Sequence, residues 1–465
     1  MRRIVSLLLA LTMCLALCAC GDPEPTSNGN NLGNGDPTAT TNNDDASVPK
    51  HNHEWEKATC TAPETCKTCG ETNGLAKGHD WDVATDTNTM TCKVCAESIV
   101  YSTGLEFVHN GDGTCALVGI GSCTERQIVI PAIFEGSKVT SIGEEAFYKS
   151  DIPSYITIPD SVTSIGEKAF SRCQFLSGIT IPISVTSIGD EAFSVCGCLK
   201  EITIPSGLTS IGARAFESCN YLQNISIPSS VGSVGDGAFS GCSNISAVRI
   251  TDIVAWCKID FEDPEANPLH EGACLYLNEE QVVSLNIPSD ISRIENYAFY
   301  GCGDLENVTI PDNVVSIGEF SFSRCRSLVK INIPDSVVSI GNGAFNGCTN
   351  LEYNEYDNAN YLGNELNPFV LLVNTKSHDI TSCQIHDNTK FIASNAFWNR
   401  RAMESVYIPG GVVSIGGNAF ASCAMLTSVH FKGTLEKWSA VSKGDSWDYS
   451  TGDYTIYCTD GEIKK

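Results

Sequence analysis

The sequence predicts a repeat solenoid of short parallel strands, with irregular or short helical segments returning the chain from each strand to the next. Two nearly identical stretches reveal the period, because "SVTSIGEKAFSRC" at 161–173 recurs 23 residues later as "SVTSIGDEAFSVC" at 184–196. A unit this short cannot enclose its own apolar side chains, whereas stacked units bury a continuous core. Ten phenylalanines occupy the same position in successive units, apart from two longer intervals: Phe147, Phe170, Phe193, Phe216, Phe239, Phe299, Phe322, Phe345, Phe397 and Phe420.

Each unit contains a strand, a turn and a return segment. In the strand, Ile179 and Ile181 should point to the core and Thr180 away from it, because side chains alternate along a strand. Pro182 follows and ends the strand, since proline has no N–H to donate. Gly189 is expected to take a positive φ in the turn. The segment "DEAFSVC" is too short for a long helix and predicts a helical turn or irregular return.

Two longer intervals between phenylalanines hold insertions rather than breaks in the array. They separate Phe239 from Phe299 and Phe345 from Phe397. Apolar residues with the spacing of an ordinary strand precede the far phenylalanine of each interval: Val282, Leu285 and Ile287 in the first, and Ile380, Cys383 and Ile385 in the second. Each interval therefore contains ordinary units plus an inserted segment.

Cysteine recurs three residues after the phenylalanine in most units. These residues are Cys173, Cys196, Cys219, Cys242, Cys302, Cys325, Cys348 and Cys423. The pattern is compatible with a metal or redox ladder. It favours small apolar core residues, since free cysteine is commonly buried. Ser150 and Arg400 take the position in other units.

Residues 1–19 are typical of a signal peptide, with Arg2 and Arg3 before a short apolar run. The run ends in "LCAC", which resembles the bacterial lipobox and implies that Cys20 is acylated and becomes the mature N-terminus. The alternative is an ordinary secretory signal cut near Ala19. Residues 20–50 have almost no apolar side chains and are predicted to be a lipid-anchored disordered linker.

Residues 51–98 form a duplicated Cys/His module whose halves align at a shift of 26 residues. Cys66, Cys69, Cys92 and Cys95 make two C-x₂-C knuckles, close to the spacing of a zinc ribbon. We therefore predict a structural zinc, with disulfides as the alternative outside the cell. Other candidate ligands are His53, His79 and Cys60.

The repeat stretch "LKEITIPSGLTSIGARAFESCNYLQNISIP" resembles the BspA-like, treponemal-type leucine-rich repeat, and the resemblance covers about residues 128–431. It implies a leucine-rich repeat solenoid, for which we predict a capping hairpin at 99–135, repeats at 136–432 and a C-terminal cap at 433–465. We expect four aromatic residues of that cap to cover the last coil: Trp438, Trp447, Tyr454 and Tyr457.

The family resemblance implies a bacterial cell-surface protein that binds or adheres to protein or cell-surface ligands. The alternative is a structural envelope spacer without a host ligand. The net charge of −26 argues against nucleic-acid binding. No G-x-S-x-G or H-E-x-x-H motif occurs, so we predict a non-enzymatic monomer held at the membrane only by its N-terminal lipid.

The residue between the two isoleucines of each strand defines an outward face. This column is polar and small at first, with Thr157, Thr180, Thr203 and Ser226, and then reaches Arg249. It ends in Tyr407 and His430. Aromatic and arginine side chains are frequent interface anchors. We therefore predict that ligand binding centres on Arg249, Trp256, Tyr407 and His430, beside the insertions.

Overall fold

The structure is a computed structural model that describes residues 55–57, 64–67, 72–73, 81–82, 89–94 and 98–465. A parallel β-solenoid of about 15 turns with almost no helix occupies most of the described chain. The described helices are short: Ile253–Trp256, the 3₁₀ turn Pro264–Ala266, and Leu435–Ala440. The predicted solenoid is confirmed.

Two rows of strands run along the solenoid. The first row carries the face on which the sequence predicts ligand binding, and we call it the ligand-face row for that prediction. It comprises Gln127–Val129, Tyr155–Thr157, Gly178–Thr180, Glu201–Thr203, Asn224–Ser226, Ala247–Ile250, Cys274–Leu277, Glu280–Gln281, Ser284–Asn286, Asn307–Thr309, Lys330–Ile331, Ser382–Gln384, Ser405–Ile408, Ser428–Phe431, Thr455–Cys458 and Gly461–Lys464. The second row comprises Glu106–His109, Thr114–Gly119, Ile133–Phe134, Ser137–Ile142, Ser164–Ile165, Ser187–Ile188, Ser210–Ile211, Ser233–Val234, Asp260–Phe261, Arg293–Ile294, Ser316–Ile317, Ser339–Ile340, Asn354–Tyr356, Ala359–Leu362, Leu371–Thr375, Phe391–Ile392, Ser414–Ile415 and Ser442–Lys443.

The repeat period sets the register of neighbouring strands. Ile165 pairs with Ile188, and Ile188 with Ile211, in parallel. Within one strand, Ile179 and Ile181 are buried and Thr180 is exposed, as predicted. Both rows are interrupted at the two insertions, and the ligand-face row is also interrupted between Gly178–Thr180 and Glu201–Thr203.

The phenylalanines form stacked columns in the core. Phe193 is fully buried, and its ring centroid lies 5.1 Å from that of Phe170 and 5.4 Å from that of Phe216. After the first insertion the stack resumes, with 5.3 Å between Phe299 and Phe322. Offset stacking at such distances adds favourable energy to the burial of the rings, so each ring joins its coil to the coils on both sides.

The return segment is a run of overlapping tight turns. Alternate N–H groups donate within the coil and to the next coil: Ser194 N donates to Glu191 O over 3.0 Å, and Phe193 N to Ala215 O over 2.8 Å. This pattern requires two left-handed residues in each unit, and here they are Glu191 (φ 53°) and Val195 (φ 60°). The left-handed region is unfavourable for a β-branched residue such as Val195.

The expected positive φ at Gly189 is wrong, because Gly189 is not among the residues with positive φ. The glycine is needed for another reason. A Cβ at this position would lie 2.7 Å from Glu167 N and 2.8 Å from Gly166 C of the preceding coil. The S-I-G turns of consecutive coils therefore approach too closely for a side chain.

The repeat cysteines are core residues. All eight are buried, and Cys196 Sγ, for example, donates to Phe170 O of the preceding coil over 3.1 Å. Burial raises the pKa of the Cys173 thiol to about 12, so this thiol is neutral near pH 7. At the equivalent position, the buried Arg400 contacts Thr375 Oγ1 and lies 2.8 Å from His378 Nδ1.

Both ends of the solenoid are covered. The predicted N-terminal hairpin is present, because Glu106–His109 and Thr114–Gly119 pair antiparallel and the second strand continues onto Ser137–Ile142. At the other end Trp438 and Tyr454 are buried, and Trp447 packs edge-on against Phe420 at 5.9 Å. Tyr457 does not cover the last coil as expected, because it lies 42% exposed on the outer face.

The duplication in 51–98 is visible in the backbone. Trp55 pairs with Cys66 in one three-stranded antiparallel sheet, and Trp81 pairs with Cys92 in another. The strands are Trp55–Glu56, Glu64–Cys66 and Thr72–Asn73 in the first copy, and Trp81–Asp82, Thr89–Cys92 and Ser98–Val100 in the second.

We predict that the eight repeat cysteines resist alkylation at pH 8 in the folded protein, whereas the exposed Cys198 reacts readily. Burial raises the pKa values of Cys173 and Cys325 in the folded state above the thiol's ordinary value of 9.0. Their contribution to stability is therefore complete below about pH 9 and is lost as the pH rises toward 12. Peptide mass spectrometry after iodoacetamide treatment measures the labelling of the repeat cysteines and of Cys198. Labelling of Cys196 at the rate of Cys198, without unfolding, would contradict the burial of the repeat cysteines.

Candidate ligand-binding face

The ligand-face row presents a column of side chains to solvent. Thr180 and Thr203 are exposed, while Ile179 and Ile202, which precede them in the chain, are buried. Parallel register places each column residue beside its equivalent in the next coil, as Ser226 lies beside Arg249. Within each sheet of the row, the column therefore places one outward side chain beside the next from coil to coil.

Arg249 is held in place by its neighbours on this face. Its Nε lies 3.1 Å from Glu279 Oε2, and its Nη1 donates to Asn224 Oδ1 over 3.1 Å. The guanidinium also lies 5.1 Å from the ring centroid of Tyr276, which is its partner in the next strand. These contacts fix the arginine against the sheet and leave it half-buried.

Trp256 does not belong to the face, which corrects the sequence prediction. Its side chain is 1% exposed, and Nε1 donates to Ala298 O over 2.9 Å. It ends the short helix Ile253–Trp256, whose N-cap is Asp252. The tryptophan instead fills the core where the first insertion joins the next coil, so it cannot contact a ligand.

Three aromatic rings stack on the outer face at the C-terminal end, and we call them the aromatic column: Tyr407, His430 and Tyr457. Tyr407 and His430 have ring centroids 4.5 Å apart at 9°, and His430 and Tyr457 lie 5.1 Å apart at 17°. Tyr407 is 37% exposed and Tyr457 42% exposed. Because the rings face one another, the column presents their edges and polar atoms to solvent.

Sequence reasoning missed two members of this face, Tyr276 and Tyr457. Tyr276 pairs with Arg249, and Tyr457 pairs with His430. In both places the spacing between the paired strands exceeds the regular period, because a short helix lies between them. The alternating pattern around each residue would have identified it, since buried Leu275 precedes Tyr276 and buried Ile456 precedes Tyr457.

The side chains of the predicted zinc site lie outside the described part of the chain. Cys69 and Cys95 lie outside them, and Cys66 and Cys92 are described only as backbone at strand ends. In the described part of the chain, no group of three or more histidine, cysteine, aspartate or glutamate side chains is arranged to hold a metal ion.

The predicted lipid attachment at Cys20 also lies outside the described residues. None of the helices in the described ranges combines the length and apolarity needed to cross a bilayer.

Several solved structures are similar to this chain. A leucine rich cell surface protein from Faecalibacterium prausnitzii A2-165 is 25% identical, over 73% of this chain and 96% of its own, with a TM-score of 0.38. A leucine-rich repeat protein from Bacteroides ovatus ATCC 8483 is 24% identical over 76% and 98%, with a TM-score of 0.33. The pneumococcal vaccine antigen PcpA is 16% identical over 76% and 98%, with a TM-score of 0.39.

No curated protein matches the chain. The model of the BspA type leucine rich repeat region matches in six copies, over residues 129–257, 272–366 and 374–442. These ranges include more than half of the 465 residues and coincide with the stacked coils described above. The chain therefore belongs to the BspA-type leucine-rich repeat family.

Proposed function

We propose that this protein is a surface-displayed binding protein whose solenoid is a rigid platform for a protein or cell-surface ligand. The observation that carries the proposal is the aromatic column, in which Tyr407, His430 and Tyr457 stack on the solvent-facing side of a continuous sheet. Exposed aromatic side chains held on a rigid scaffold are typical anchors of protein interfaces.

The C-terminal half is the favoured contact region on chemical grounds. The N-terminal half of the same column consists of Thr157, Thr180, Thr203 and Ser226, which supply little apolar area. Arg249 with Tyr276, and then the aromatic column, offer planar groups that lose little conformational freedom when a partner binds. We propose Arg249, Tyr407 and His430 as ligand-binding residues, together with Tyr276 and Tyr457.

A spacer function is the second candidate, and the threonine stretch favours it. A small polar row of this kind is what a soluble sheet needs whether or not it binds anything. In a spacer the aromatic column would serve only cross-strand packing, which is worth about 0.2–1 kcal/mol per pair. Removal of one exposed ring therefore distinguishes the two functions. It weakens ligand binding if the column is an anchor, and it affects only stability if the solenoid is a spacer.

Surface display is supported by membership of the BspA-type family. We propose that Cys20 carries the lipid and that residues 20–50 tether the solenoid to the membrane. The matched family is a leucine-rich repeat family, and on that ground we propose that the protein is not an enzyme. We also propose that residues 51–98 hold a structural zinc.

The ligand-face prediction concerns affinity for a partner captured from host matrix or neighbouring cells. His430→Ala and Tyr457→Ala should each weaken binding at least tenfold, or about 1.4 kcal/mol, because an anchor is lost. Thr180→Lys and Thr203→Lys are the matched controls on the same column and should leave affinity unchanged. Surface plasmon resonance measures both sets, with thermal melts to verify folding. Loss of binding in the threonine variants alone would place the site at the other end.

The anchoring prediction concerns the N-terminus of the mature protein. An inhibitor of lipoprotein signal peptidase should leave an unprocessed precursor in cells, and mass spectrometry of the mature chain should find an acylated Cys20. Cys20→Ala should release the protein from the membrane fraction, whereas Cys18→Ala should not. A mature N-terminus at another residue would refute lipid anchoring.

A further inference from the structure

The second insertion opens a cleft in the ligand-face row, which we call the junction cleft. The strand Lys330–Ile331 pairs on one edge with Asn307–Thr309. The chain of the next coil then turns away, because Asn354–Tyr356 pairs antiparallel with Ala359–Leu362 instead of continuing the row. No described strand pairs with the other edge of Lys330–Ile331. The space left there has a volume of about 1180 Å³.

The open edge presents the backbone of Ile331 to this cleft. Along a parallel strand, alternate residues bond to opposite neighbours. Lys330 N donates backward to Glu306 O over 3.2 Å, and Val329 O accepts from Glu352 N of the following coil over 2.9 Å. The N–H and C=O of Ile331 therefore face the cleft, where the next strand would lie in an ordinary coil.

Asn332 changes one pair of hydrogen bonds between this strand and the preceding coil. In an ordinary coil, Ile287 N donates to the backbone oxygen of Thr309 over 2.9 Å. At the junction the side chain of Asn332 replaces the backbone. Its Oδ1 accepts from Ile310 N over 2.7 Å, and its Nδ2 donates to Ile310 O over 2.8 Å. Past this point the outer edge closes again, because Ile333 N donates to Gly363 O over 2.9 Å and Asn364 Nδ2 donates to Ile333 O over 3.0 Å. The gap in the pairing is therefore limited to Ile331, between Val329 and Ile333.

The far wall of the cleft ends in a fixed loop with an apolar tip. Asn364 Oδ1 accepts from the N–H of Leu366 over 3.0 Å and from that of Asn367 over 2.8 Å. The Leu366 side chain is 91% exposed at the lip. An apolar side chain that a hydrogen-bonded turn holds in solvent gains free energy only when a partner covers it.

The lining of the cleft is acidic. Asp335 pairs with Lys390 at 3.4 Å, and the Lys330 ammonium lies 3.9 Å from Glu352. Asp312 and Glu365 also line the cleft, and no cation among the described residues forms an ion pair with either. The uncompensated charge is negative and favours a cationic occupant.

We propose that the junction cleft binds an extended, lysine- or arginine-bearing peptide segment of a protein partner, whose backbone pairs with Ile331 in the gap. This pairing supplies the register, and basic side chains of the segment reach Asp312 and Glu365. Recognition of this kind takes part of its affinity from main-chain hydrogen bonds and its selectivity from flanking side chains. The site is separate from the aromatic column, so either can fail alone.

The charge test uses the full chain and two fluorescein-labelled peptides, Lys-Val-Lys-Val-Lys and Glu-Val-Glu-Val-Glu. The lysine peptide should bind at least tenfold more tightly. The double variant Asp312→Asn, Glu365→Gln should lower its affinity at least fivefold. Asp160→Asn is the matched control, because it changes the residue equivalent to Asp312 in the distant "IPDSV" unit, and it should have no effect. Equal binding of the two peptides, binding of neither, or an equal effect of Asp160→Asn would overturn the proposal.

The backbone test methylates one amide nitrogen at a time in the lysine peptide. Because the gap exposes Ile331 alone, N-methylation at one position, where the peptide N–H donates to Ile331 O, should weaken binding at least fivefold, and the other positions should tolerate it. Spermine, which has charge but no peptide groups, should compete poorly. Uniform tolerance of methylation, or full competition by spermine, would show a purely electrostatic cleft and refute backbone pairing at Ile331.

Discussion

Contact between equivalent side chains in successive coils is the constraint on which the rest of the structure depends. Phe193 touches the rings above and below it, and the thiol three residues later bonds to a phenylalanine carbonyl of the preceding coil. Neither group could be buried within a single repeat unit. The stack therefore provides the core, and the core in turn fixes the parallel register that aligns the outward side chains into rows.

Close stacking also explains which residues the turns require. Gly189 has no side chain because the backbone of the coil before it occupies that space. The N–H groups of the return segment bond alternately inside the coil and to the next coil, and this pattern requires left-handed φ values at Glu191 and Val195. The array tolerates an unfavourable φ at Val195 because the hydrogen bonds on both sides determine the local backbone.

The sequence was sufficient to predict the repeat, the buried isoleucines and cysteines, the N-terminal hairpin and the continuation of the array through both insertions. These follow from periodicity, because one unit repeats the packing of the last.

Trp256 could not be placed in the same way, since it lies in an insertion with no equivalent elsewhere, and its burial depends on a hydrogen bond to Ala298. Tyr457 lies outside the regular period because the helix Leu435–Ala440 lengthens the spacing before it, so periodicity did not place it on the outer face. The open edge at Ile331 arises from the path of the chain after Glu352, which no local pattern predicts.

The account depends most directly on nearest-neighbour coupling through the phenylalanine stack, and a double-mutant cycle measures it. Phe193→Ala alone should lower the free energy of unfolding in urea by about 3–5 kcal/mol. Combined with Phe216→Ala in the adjacent coil, it should show an interaction energy of about 0.5–3 kcal/mol, whereas combination with the distant Phe322→Ala should be additive within about 0.5 kcal/mol. A cost for Phe193→Ala below about 0.5 kcal/mol, the level of ordinary surface substitutions, or equal coupling in the two pairs, would contradict a core built by stacking successive coils.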